Sequence, residues 1–93
     1  MKYYIVVNEW KYPTSSGRVI LGDYDDAQEA EYHAKEECEL EFDTFQEICG
    51  DYYRDGSGRL VDAYGNCEGY VLNSSRYEEE NMFFRSSIIT REI

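Results

Sequence analysis

The 93-residue sequence holds one histidine, one proline and nine lysine or arginine residues, and each shortage removes a class of chemistry. The histidine, His33, has no cysteine or serine beside it in the local sequence, so no nucleophile–base pair is visible and the residue reads as a solvent-exposed spectator. The nine basic residues are widely scattered, whereas direct binding of DNA or RNA requires concentrated lysine and arginine against phosphate. The three cysteines, Cys38, Cys49 and Cys67, are odd in number and lack CxxC spacing, so they indicate neither a disulfide framework nor a zinc site. No calcium-loop pattern with its distal glutamate occurs, and Asp55-Gly56-Ser57-Gly58 carries a single carboxylate in what reads as a hairpin turn. No phosphate-cradling glycine loop is present either. The expectation is a protein with no catalytic residues, no metal and no organic cofactor.

Long hydrophobic runs are also missing. Tyr3-Tyr4-Ile5-Val6-Val7 is too short for a signal peptide and has no small-residue cleavage site behind it, and no stretch approaches the roughly 20 apolar residues of a membrane span. A cytoplasmic protein is expected. What is present argues for folding: hydrophobic residues make up 42% of the chain and aromatics 16%, too much for a disordered acidic tail. The length suits one domain, residues 1–93, with a compact core and little room for a deep substrate pocket.

Charge is distributed unevenly. Residues 23–51 hold 12 acids against Lys35 alone, which equals the net charge of −11 for the whole chain, and the remaining residues balance 8 acids with 8 bases. The chain is a neutral scaffold with one acidic segment.

Periodicity places that segment. Tyr3 to Trp10 and Arg18 to Leu21 are β-branched and aromatic runs separated by turn residues Pro13 to Gly17, which predicts an N-terminal hairpin. Asp23 is the expected helix N-cap, with Asp25 and Asp26 in the first turn, where the helix dipole favours acids. At 100° per residue Ala27, Ala30, Ala34 and Cys38 form one narrow stripe bordered by Tyr24 and Phe42. The opposite side collects Asp25, Asp26, Glu29, Glu36, Glu37, Glu39 and Asp43, with Tyr32 and Leu40 among them. Phe45, Ile48 and Cys49 keep the phase of the stripe. Glu41 falls within it, however, and Thr44-Phe45-Gln46-Glu47 reads as a fresh capping box, so a break near 41–44 is the expectation. Beyond Gly50, Tyr52-Tyr53-Arg54, Arg59-Leu60-Val61, Tyr70-Val71-Leu72 and Phe83 to Ile93 read as strands, with turns at 55–58 and Gly65-Asn66 and a polar loop after Leu72. The order β-β-α-(α)-β-β-β predicts an α+β domain: an antiparallel sheet of four to five strands packed against one or two helices.

A domain that gathers its excess charge on one element gains a field that steers a basic protein partner. If residues 23–51 were wholly helical they would span roughly 43 Å, with one acid per roughly 3.6 Å. One nucleic-acid strand spaces its phosphates by about 3.4 Å. The candidate partner-binding residues are Asp25, Asp26, Glu29, Tyr32, Glu36, Glu37, Glu39, Leu40, Asp43 and Glu47, with Tyr32 and Leu40 as apolar anchors among the charges.

In size, in the acidic helical segment 23–51 and in its ten tyrosines, the chain resembles the short acidic proteins that phages and mobile elements use against bacterial defence, including anti-CRISPR and anti-restriction DNA mimics. The likeness is one of composition and charge layout. It implies a bacterial host cell and an inhibitor that occupies the nucleic-acid groove of a CRISPR effector or nuclease, and it assigns no residue by position. The same electrostatic logic fits an immunity protein that covers the basic active site of a nuclease toxin. A third possibility is a small adaptor that binds through a sheet edge.

Overall fold

A computed structural model describes residues 1–49, 58–77 and 80–93. The chain forms β1 (Lys2–Lys11), β2 (Ser16–Tyr24), α1 (Ala27–Cys49), β3 (Gly58–Val61), β4 (Cys67–Tyr77) and β5 (Glu80–Glu92). All pairings are antiparallel, in the order β2-β1-β5-β4-β3, and the helix packs on the sheet, so the α+β expectation is met. The turn between β1 and β2 closes with Tyr12 N–H donating to Ser15 O at 2.7 Å. Because α1 leaves β2 at one edge and the chain re-enters at β3 on the other, the helix crosses the sheet, lying on β4, β5 and β1.

Alternation along β1 sets Tyr4, Val6, Asn8 and Trp10 on one face and Ile5, Val7 and Glu9 on the other. The core lies under the helix: Ala30, Ala34, Cys38 and Phe45 bury against Val6, Tyr70, Leu72, Met82 and Phe84. Alanine at 30 and 34 lets the helix backbone sit close to the sheet. Phe45 then fills the wider space farther along the helix, where a Phe→Ala truncation in a core costs about 3–5 kcal/mol. Two glycines permit close approach. A Cβ on Gly17 would stand 2.5 Å from the Trp10 indole, so the ring packs this close to β2 only because that side chain is missing. Gly69 has φ +127 and its Cβ would collide with the Ser86 carbonyl on β5.

Three expectations are corrected. The helix does not break at 41–44 but runs without interruption over Ala27–Cys49. Steps of four residues along Ala30, Ala34, Cys38 and Phe42 advance the apolar stripe by about 40° each. Glu41 is thereby left on its flank, where the Tyr12 hydroxyl donates to Glu41 Oε1 at 2.7 Å. The charge that argued for a break is thus satisfied from the hairpin turn, and Phe45 is fully buried. The N-cap is Asp26, not Asp23: Asp26 Oδ1 accepts from Gln28 N–H at 3.0 Å and its carbonyl accepts from Ala30 N–H at 3.1 Å. Asp23 remains in β2 opposite Ile5, because pairing with β1 holds the chain extended through Tyr24, and Asp25 precedes the helix. The strand containing Tyr70-Val71-Leu72 does not end in a loop after Leu72; its backbone stays paired with β5 through Ser74, with a register shift before Tyr77 pairs Glu80. The hairpin expected around Tyr52-Tyr53-Arg54 lies outside the described residues.

Candidate partner-binding surface

The helix carries eight carboxylates against Lys35, and burial of the Ala30-Ala34-Cys38-Phe45 stripe decides which of them face outward. Glu29, Glu39, Asp43 and Glu47 are exposed and Glu36 is half-buried, all on the side away from the sheet. Asp25 and Asp26 are exposed just before the helix. Tyr32 and Leu40 stand among these charges at 63% and 68% exposure, so neither belongs to the core. A hydrogen bond with Glu36 and the charge of that carboxylate push the Tyr32 phenol above its usual pKa.

One predicted member does not join the outer face. Glu37 is half-buried, because it precedes Cys38 by one residue and shares the flank occupied by Glu41, and its Oε1 accepts from Asn8 Nδ2 at 2.9 Å. Glu31 also turns toward the sheet: its Oε1 accepts from Arg59 Nε at 3.0 Å and from the Tyr70 hydroxyl at 3.1 Å. The Arg59 hydrogen bond, more than the Tyr70 contact, holds the Glu31 carboxyl below its ordinary pKa, against the opposing effect of burial. His33 is less free than expected. It stacks on Tyr24 at 4.6 Å, meets the edge of Tyr32 at 5.5 Å and lies 4.0 Å from Glu29.

Between helix and hairpin lies an open groove of about 450 Å³ that sequence reasoning missed. Asn8, Trp10 and Tyr12 from the hairpin, Glu37, Leu40 and Glu41 from the helix, and Phe84 from β5 line it. A signal for it was present: Asn8 alternates in phase with Val6 and Trp10, which puts a polar side chain on the core face. What that carboxamide met across the interface was not readable. Asn8 is 5% exposed and its Oδ1 accepts no hydrogen bond.

Among the described residues no group of three or more His, Cys, Asp or Glu side chains is placed to hold a metal ion. Burial pushes the Cys38 thiol up to about 12, and burial also raises that of Cys67. No described helix is long and apolar enough to cross a membrane. Comparison of the chain with family models, with curated proteins and with solved structures finds no match.

Proposed function

We propose that the chain is a non-catalytic inhibitor that lays its acidic helix face on the basic nucleic-acid-binding surface of a bacterial defence effector, such as a CRISPR complex or nuclease, and blocks its target. The observation that carries this reading is the line of outward carboxylates Glu29, Glu36, Glu39, Asp43 and Glu47 on one uninterrupted helix. Among the described residues none of them is paired with a lysine or arginine. These five span about 27 Å, one charge per roughly 7 Å, or about half the axial density of a nucleic-acid strand. Mimicry here rests on sign and linearity, supported by the apolar anchors Tyr32 and Leu40. An immunity protein against a nuclease toxin would use the same face.

A second reading has its own support. β2 is an edge strand of nine residues that exposes Val19, Ile20 and Leu21, a form that adds strands from a partner. Salt separates the two, since charge steering weakens as the Debye length falls and strand addition persists.

The test is affinity capture from a bacterial lysate, followed by mass spectrometry, with the wild-type chain and an E36K/E39K/D43K variant. Glu37 is left intact because it bonds the core residue Asn8. The proposal expects a nuclease or CRISPR component at low salt that is lost at high salt and in the triple variant. Equal capture by both proteins removes the acidic face from the mechanism.

A further inference from the structure

We infer that the groove between α1 and the β1–β2 hairpin is a receptor for a single arginine side chain of the partner protein. This deepens the proposed function, and rests on its premise of a basic partner, by naming the pocket that anchors what the outer face attracts.

The hydrogen-bonding groups of the groove point to a donor. Asn8 Nδ2 is engaged by Glu37 Oε1 at 2.9 Å and the Tyr12 hydroxyl by Glu41 Oε1 at 2.7 Å. The lining also holds the Trp10 indole N–H, the Ser15 hydroxyl and the second Asn8 N–H, but the remaining lone pairs of the two carboxylates and of Asn8 Oδ1, a buried atom without a partner, outnumber these donors. A buried acceptor left unsatisfied is costly, so a ligand that brings N–H groups to this lining is favoured over one that brings further acceptors. The two carboxylates sit one turn apart, about 6 Å along the axis, and among the described residues no lysine or arginine pairs with either. An anion is repelled here, and a neutral ligand leaves two half-buried charges uncompensated.

The walls select among cations. Trp10, fixed over Gly17, and Phe84, its register partner on β5, present aromatic surface, and Leu40 forms an apolar rim. A guanidinium is planar, weakly hydrated and carries five N–H donors in a fork, so it stacks on an indole while bonding carboxylates at its edge. An ammonium is compact and strongly hydrated. A metal ion lacks a third ligand of the usual kind among the described residues. The methylenes of an arginine would lie against Leu40, whose 68% exposure places it where the groove opens onto the acidic face.

The test is an NMR titration of the full chain with the capped peptide acetyl-Gly-Arg-Gly-amide, alongside its lysine and citrulline counterparts. Saturable shifts of the Trp10 indole N–H and the Asn8 carboxamide are expected with arginine, with lysine weaker by about tenfold and citrulline inert. E37Q/E41Q is expected to lower arginine affinity by roughly tenfold or more, as loss of charge-assisted hydrogen bonds does. Should that variant not fold, Leu40→Lys, a change at an exposed site, brings a competing cation to the rim and is expected to abolish the titration. Absence of groove shifts overturns the inference, as does equal binding of all three peptides. A deca-lysine peptide tests the outer face independently: shifts at Glu39 and Asp43 amides that persist in E37Q/E41Q keep the proposed function while the groove fails. Groove titration by arginine without any deca-lysine response supports the receptor and removes the outer face.

Discussion

Replacing Thr44 by alanine has an effect whose sign depends on whether the helix is continuous. Thr44 is exposed in the interior of α1, between half-buried Phe42 and fully buried Phe45. In a helix interior alanine is favoured over threonine by roughly 0.5 kcal/mol, since a β-branched side chain loses rotamer freedom against the preceding turn. Were Thr44 instead the N-cap of a second helix, its hydroxyl would satisfy a free backbone N–H, and truncation would cost about 1 kcal/mol. The two cases differ in sign and by about 1.5 kcal/mol in size. Urea unfolding followed by far-ultraviolet circular dichroism resolves this, provided that the dependence on urea concentration is unchanged. The expected result is a small stabilisation. Phe45→Ala in the same experiment should cost about 3–5 kcal/mol, a large part of the roughly 5–14 kcal/mol available to a chain of this length. A Thr44→Ala protein destabilised by about 1 kcal/mol or more would refute the continuous helix, and with it the unbroken line of charge that ends at Glu47.

Three further outcomes follow from the geometry. Because the folded-state pKa of Glu31 is lowered by Arg59, its contribution is complete above the ordinary carboxyl range and is lost as pH falls through the folded value; the stability gap between wild type and Glu31→Gln should therefore close on acidification, and a gap constant with pH would deny the link. In a Cys49→Ser background, Ellman's reagent at mildly alkaline pH should label half-buried Cys67 before Cys38, whose thiol stands at about 12, and both rapidly in urea; native labelling of Cys38 at the rate of a free thiol would contradict its burial. Gly69→Ala should abolish cooperative folding or displace β4 from β5, because the new methyl meets the Ser86 carbonyl and the backbone has φ +127; a wild-type melting curve would overturn that packing.

The hairpin, the amphipathic helix and the antiparallel strands were legible because each is written in local periodicity and turn residues. The Ala30-Ala34-Cys38 stripe identified the buried side of the helix, and its opposite side identified Glu29, Tyr32, Glu36, Glu39, Leu40 and Asp43 as outward. Where charge met a long-range partner, sequence reasoning failed. Glu41 looked like a reason to end the helix and Glu37 like part of the outer face. Tyr12 and Asn8, each 29 residues away in the chain, hold them at the flank instead. The groove has the same origin: its residues come from β1, α1 and β5, brought together when β5 pairs with β1 and the helix crosses both. Local sequence determined the elements and their buried faces, because side-chain period and turn chemistry act within a few residues. Tertiary structure alone decided strand order, helix continuity and the fate of each carboxylate, because a charge is tolerated or excluded according to the donor that folding delivers to it.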